Sequence, residues 1–359
     1  MTDAAALDAR ILAAIAAYAL DDAAFLALAR DIVAYQLRTN APFAAFAAAQ
    51  GITPERVPVR LQDLPAVPAA AFKEARLATF PPAETAVWFE TSGTTQGRGG
   101  RHEMPGTRLY DAALLATFDR MVLSGRGRLR YLLLVPDPRV QPHSSLGHMM
   151  ATIARERGDG ADVWLLQGDA LDADGFLAAA AQARADGAPV CLAATAFALV
   201  GLLDALRGRH TEMRLPRGSV VMETGGFKGR SRMVARETLY REAGAALGIP
   251  LDAIVAEYGM TELSSQYYDG VADRARIEPR VKRAPPWLRT LVMGAEGPVA
   301  PGIVGALRHI DLANRGSVIA IDTEDLGAEV DGGIVLLGRE QGAELRGCSL
   351  DAETLRVHG

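Results

Sequence analysis

Cysteine is nearly missing from this chain: Cys191 and Cys348 are the only two in 359 residues. Two thiols in unlike local sequence exclude a disulfide framework, which leads to the expectation of a reducing, cytoplasmic location. Long apolar runs are missing as well, and no stretch approaches the ~20 residues of a membrane-spanning helix. Asp3 and Asp8 stand before the first apolar run, where a secretory leader carries a basic segment. There is no dense Lys/Arg tract, and the formal net charge is -5. The nearest approach, Arg276, Arg280, Lys282 and Arg283, is interrupted by Glu278 and by prolines. Neither nucleic acid nor an anionic membrane is therefore an expected partner. His143 and His148 lack companions at metal-ligand spacing.

What is present is ordinary globular material, 49% hydrophobic and 23% charged, in a chain long enough for a large core divided between two lobes. Residues 4–50 carry apolar side chains at helical spacing (Leu7, Ile11, Ile15, then Phe25, Leu28, Ile32), which predicts two or three helices whose role is packing. Prolines gather between 52 and 82, as in an extended connector, with Lys73 facing either a cleft or solvent. Apolar runs at 131–135, 163–166, 189–195 and 219–222 then alternate with helical segments, the pattern of a layered α/β fold. Cys191 lies inside one of these runs and reads as a buried structural thiol. Past Pro285-Pro286 come short β-rich runs punctuated by glycine, which predict a small β-rich lobe. The expected division is 1–60 helical, 61–286 an α/β core, 287–338 the β-rich lobe and 339–359 a tail.

Four stretches carry chemistry. At 89–102, F-E-T-S-G-T-T-Q-G-R-G-G-R-H sets Ser92, Thr94 and Thr95 among Gly93, Gly97, Gly99 and Gly100. Hydroxyls and approachable backbone N–H groups can converge there on a phosphate, between a strand and a helix predicted over 105–123. It is neither a Walker loop nor G-x-G-x-x-G, and the same composition suits a plain surface loop. At 222–230, M-E-T-G-G-F-K-G-R places Gly225 and Gly226 after a strand, with Lys228 and Arg230 beside them; a tight turn explains the glycines equally well. At 258–262, Y-G-M-T-E offers a ring to stack on a purine, a hydroxyl for phosphate and a carboxylate for Mg²⁺. Near the end, Arg346 precedes Cys348, and a neighbouring guanidinium favours the nucleophilic thiolate; an incidental surface thiol is the other reading.

T-S-G-T-T, Y-G-M-T-E and I-D-T-E-D-L-G followed by L-L-G-R occur in the order in which the adenylate-forming superfamily carries its motifs. Within it the chain most resembles the acyl-protein synthetase (LuxE-type) branch, with phenylacetate-CoA ligase a more distant relative. The residues carrying the closer resemblance are F-K at 72–73, G-R-H at 100–102, P-H-S-S-L at 142–146, E-T-G-G-F-K-G-R at 223–230 and L-R-G-C-S-L near the end. The resemblance implies a large α/β lobe with a small β-rich sublobe. It also implies ATP and Mg²⁺ as cofactors, and activation of a carboxylic, in this branch fatty, acid to acyl-AMP.

Carried over, it makes Ser92, Thr94, Thr95 and Thr261 phosphate contacts. Gly225, Gly226 and Tyr258 form the adenine site, Glu262 serves Mg²⁺, Asp325 and Arg339 hold the ribose, and Cys348 accepts the acyl group. An acyl reductase or a carrier protein is the implied partner; transfer to coenzyme A, or a degenerate nucleotide-binding scaffold, is the alternative. Gln96 departs from the usual T-T-G. The family's second lobe, with its catalytic lysine, is expected to be absent or vestigial, because the chain ends twenty residues after Arg339. Lys228, Lys73 or a partner is then expected to offset the charge on the α-phosphate.

Overall fold

The computed structural model describes residues 3–91, 99–168, 170–211, 213–225, 235–275 and 279–339. Its contacts divide the chain into two units, one of residues 117–259 and 267–282, the other of residues 1–116, 260–266 and 283–359.

The first of these is the α/β unit. Its sheet runs in the spatial order Val163–Trp164, Arg130–Leu134, Val190–Thr195, Val220–Thr224, Ile254–Tyr258, Tyr267–Asp269; every pair is parallel except the last. Strands buried on both faces need continuous apolar runs, and Leu132, Leu133, Leu134, Leu192, Val220 and Val221 are fully buried. The helices are started by local side chains. Ser144 accepts from the Gly147 N–H to open Ser145–Arg157, and Asp172 and Thr195 do the same for Ala173–Asp186 and Ala196–Gly208. One face of the sheet packs Leu192, Val221 and Ile254 against Leu199, Leu202, Leu206, Tyr240 and Leu247. Cys191 is fully buried, and burial pushes its thiol up to about 12, as expected of a structural cysteine.

In the other unit Leu288–Gly294, Val304–Asp311, Ala320–Val330 and Gly333–Arg339 form an antiparallel meander. Val67–Pro68 adds to the Ala320–Val330 strand in parallel. The predicted N-terminal helices form as Ala4–Ala17, Asp22–Thr39 and Ala41–Ala48, capped by Asp3, Asp21 and Asn40. They are tied to the turn Leu312–Gly316. Buried Gln36 donates to the carbonyls of Asn314 (3.0 Å) and Arg315 (3.2 Å), and Arg315 pairs with Asp8 through two bonds of 2.6 and 2.8 Å.

Candidate functional site

The strand expected before the glycine loop is Val87–Glu90, but its successor is not the helix. Arg101–Met104 pairs antiparallel with it, Glu90 opposite Arg101 and Phe89 opposite His102, and the helix Arg108–Phe118 comes only afterwards. The loop thus joins two strands of a hairpin. Apolar periodicity found the helix but missed the short strand, whose sequence R-H-E-M does not look hydrophobic.

Gly99 and Gly100 are each required by a close backbone neighbour. A Cβ on Gly99 would meet the Thr91 carbonyl oxygen at 2.6 Å, and one on Gly100 would meet the Phe72 backbone at 2.8 Å. The Gly100 N–H donates to Thr91 Oγ1 at 2.8 Å. Phe72 also sets its ring edge-on to His102, with centroids 5.7 Å apart, so F-K and G-R-H are neighbours in space. Lys73 itself is exposed on the short helix Ala71–Glu74. Ser92, Thr94 and Thr95 lie outside the described residues, as do Gly226, Lys228 and Cys348.

Thr261 and Glu262 stand beside this hairpin. His102 Nδ1 lies 2.9 Å from the Thr261 carbonyl oxygen, and Thr261 Oγ1 is 3.5 Å from the Glu90 carbonyl, at the limit of a hydrogen bond. His102 is 2% exposed, and burial lowers its pKa to about 4, so the ring is neutral at pH 7. Thr261 of Y-G-M-T-E thereby meets the strands that flank T-S-G-T-T.

The residues after Thr261 are held as closely. The Asn314 side chain donates to the Glu262 carbonyl at 2.7 Å, and Asp311 accepts from the Ser264 N–H (3.0 Å) and from Ser265 Oγ (2.9 Å). Trp287 Nε1 donates to Ser265 Oγ at 3.0 Å. Burial pushes the Asp311 carboxyl up to about 6, although these bonds pull it down. Sequence reading passed over Asp311 and Asn314, because nothing local marks a residue whose partner lies some 50 positions away.

Asp325 and Arg339 are register partners on adjacent antiparallel strands. Asp325 stands in the middle of Ala320–Val330, and Arg339 is the last residue of Gly333–Arg339. Fully buried His309 is near enough to Asp325 to feel its charge, and its Nδ1 is 3.2 Å from Thr290 Oγ1.

In the α/β unit, Gly225 and Tyr258 follow one another across adjacent parallel strands. Thr224 is the register partner of Glu257 and donates to its carboxylate through Oγ1, so the next residue of each strand is Gly225 and Tyr258 respectively. Gly225 adopts φ +77, a conformation that asks for glycine, and among the described residues no atom beyond its chain neighbours lies within 4 Å of where a Cβ would stand. Tyr258, half-buried, packs against Tyr267 with ring centroids 5.5 Å apart. Carboxyl ends of neighbouring parallel strands are where open α/β sheets bind ligands.

Beneath this strand end lies a buried ionic cluster. Asp269 accepts from Arg280 Nη1 (2.9 Å), Lys282 Nζ (2.8 Å) and the Ala256 N–H (2.9 Å), while Lys282 also donates to the Ala256 carbonyl at 2.8 Å. Burial raises the Asp269 carboxyl, but the two cations outweigh it and hold the group below its ordinary value. The sparse basic residues of the sequence are, at Arg280 and Lys282, interior clamps on the Tyr258 strand. Next to them Glu223 accepts from Tyr240 at 2.9 Å, its carboxyl raised by burial.

No protein-family model and no curated protein matches the sequence. Solved structures do match. The amide bond synthetase McbA from Marinactinospora thermotolerans is 22% identical with TM-score 0.51, over 72% of this chain and 49% of that one. ATP-bound MatB from Rhodopseudomonas palustris is 18% identical, TM-score 0.51, over 73% and 49%. O-succinylbenzoate coenzyme A synthetase (MenE) from Bacillus subtilis, in complex with AMP, is 18% identical, TM-score 0.50, over 74% and 50%. The fold is that of adenylate-forming enzymes. The chain spans about half the length of these proteins.

Proposed function

We propose that this protein activates a carboxylic acid, fatty by its resemblance to the acyl-protein synthetase branch, with ATP. The carboxylate oxygen bonds to the α-phosphorus, the bond to the β-phosphate bridge breaks, and acyl-AMP and pyrophosphate result. A carboxylate is already ionised at neutral pH, so the reaction needs positioning and charge neutralisation rather than a strong base. The observation carrying this reading is the junction of the Thr261–Glu262 turn with the hairpin that flanks the serine- and threonine-rich loop.

On this reading Ser92, Thr94, Thr95 and Thr261 take the phosphates, Gly225, Gly226 and Tyr258 the adenine, and Asp325 with Arg339 the ribose. Lys228 offsets charge at the α-phosphate. Among the described residues no group of three or more His, Cys, Asp or Glu is placed to hold a metal. That fits Mg²⁺ arriving with the nucleotide, since Mg²⁺ typically takes one or two carboxylates plus substrate phosphates. Glu262 would hold it, and it would supply charge neutralisation when bound.

The Cys348 thiolate then attacks the acyl carbonyl, AMP leaves, and the thioester is passed on to an acyl reductase or carrier protein. The first test is acid-dependent exchange of labelled pyrophosphate into ATP; an acid-independent or absent exchange refutes adenylation. The second uses labelled fatty acid with ATP, which should mark wild type but not Cys348→Ser. Equal marking removes Cys348, and acyl-CoA released by that variant would instead make the protein a coenzyme A ligase.

A further inference from the structure

We propose that His102 is a positioning residue: its Nδ1–H donates to the Thr261 carbonyl and fixes the turn carrying Thr261 and Glu262 to the hairpin carrying the glycine loop. The inference rests on the adenylation reading and assigns a role that the proposed ligand contacts leave empty.

The geometry is specific. His102 is in register with Phe89 across the hairpin, and its ring is buried against Phe72. A carbonyl oxygen only accepts, so a 2.9 Å contact to it requires the proton on Nδ1. The next residues of the turn are fastened independently, Glu262 by Asn314, and Ser264 and Ser265 by Asp311. Asn314 is in turn fixed through its own carbonyl by Gln36. Asp311 and Asn314 therefore hold the turn on one side, and His102 alone of these joins it to the strand leading out of the loop. Preset hydroxyl and carboxylate groups bind a nucleotide without first being ordered, which is where a positioning contact contributes.

Substitution separates position from bulk. His102→Asn puts an amide N–H near the place of Nδ1, His102→Gln puts it near Nε2, and His102→Leu removes the donor. Three measurements are made: the imidazole tautomer in wild type by ¹⁵N-resolved NMR, the affinity for MgATP by calorimetry, and KM for ATP and for acid in pyrophosphate exchange. The expected result is an Nδ1–H tautomer, with ATP affinity and KM for ATP weakened about tenfold or more in Gln and Leu, within about threefold of wild type in Asn, and KM for acid little changed. Tenfold is ~1.4 kcal/mol, the scale of one buried hydrogen bond.

An Nε2–H tautomer overturns the inference whatever the variants do. So does unchanged ATP affinity in Leu and Gln, or equal loss in Asn and Gln. Wild type that binds no ATP overturns the adenylation reading itself, and the inference with it; wild type that binds while all variants match it overturns the inference alone.

Discussion

Acid should weaken this protein through His309, and the size of the effect can be worked from its surroundings. The side chain is fully buried, and burial lowers its pKa from 6.5 to about 4, against a smaller upward pull from Asp325. Below pH 6.5 the unfolded chain takes up a proton that the folded chain refuses until about pH 4, so stability falls as pH falls through that window. At ~1.36 kcal/mol per unit, moving from pH 7 to pH 5 removes about 2 kcal/mol. His102 acts in the same direction, with its pKa also lowered to about 4. Asp311 opposes both: its carboxyl is raised from 3.8 to about 6, so the folded state binds that proton first and gains as pH falls between those values.

The assay is urea unfolding of wild type and His309→Asn at pH 7 and pH 5. Lost packing lowers the variant's stability by the same amount at both values, and His102 and Asp311 titrate alike in the two proteins, so the difference isolates the His309 proton. The variant's deficit should shrink by about 2 kcal/mol on going to pH 5. A deficit equal at the two pH values refutes the argument, because it means that the folded protein protonates His309 as readily as the unfolded one.

Lys228→Ala should leave ATP binding largely intact while depressing acid-dependent pyrophosphate exchange; unchanged exchange removes Lys228 from the chemistry. Lys282→Met strips one of two cations from buried Asp269 and should lower unfolding stability by about 3 kcal/mol in denaturant titrations. Adding Asp269→Asn should restore part of that loss, and a double variant worse than the sum of the single ones would contradict the pairing. Gly100→Ala drives a methyl into the Phe72 backbone and should cost ~1–3 kcal/mol by the same titrations, whereas Gly225→Ala meets no neighbour among the described residues and should lose less, through its φ of +77. Equal losses at the two glycines would show that the hairpin has room to yield.

The sequence by itself determined the fold class and its longer elements. The apolar runs at 131–135 and 189–195 read as buried strands of a layered α/β sheet, because a strand covered on both faces has no polar side to display, and the strands Arg130–Leu134 and Val190–Thr195 form there. Helical spacing at 7, 11 and 15 read as a packed helix, and Leu7, Ile11 and Ile15 are its buried face. Motif order named the residues now proposed to take nucleotide, because such turns are local and their side chains adjacent. Only the tertiary structure decided which groups hold those turns. His102 reaches Thr261 across 159 positions and Asn314 reaches Glu262 across 52, distances at which no periodicity or motif links one residue to another. It also turned Arg280 and Lys282, which the sequence showed only as members of a sparse basic cluster, inward onto Asp269: a buried carboxylate is tolerable only when cations and N–H groups meet it, and the fold alone brings them there.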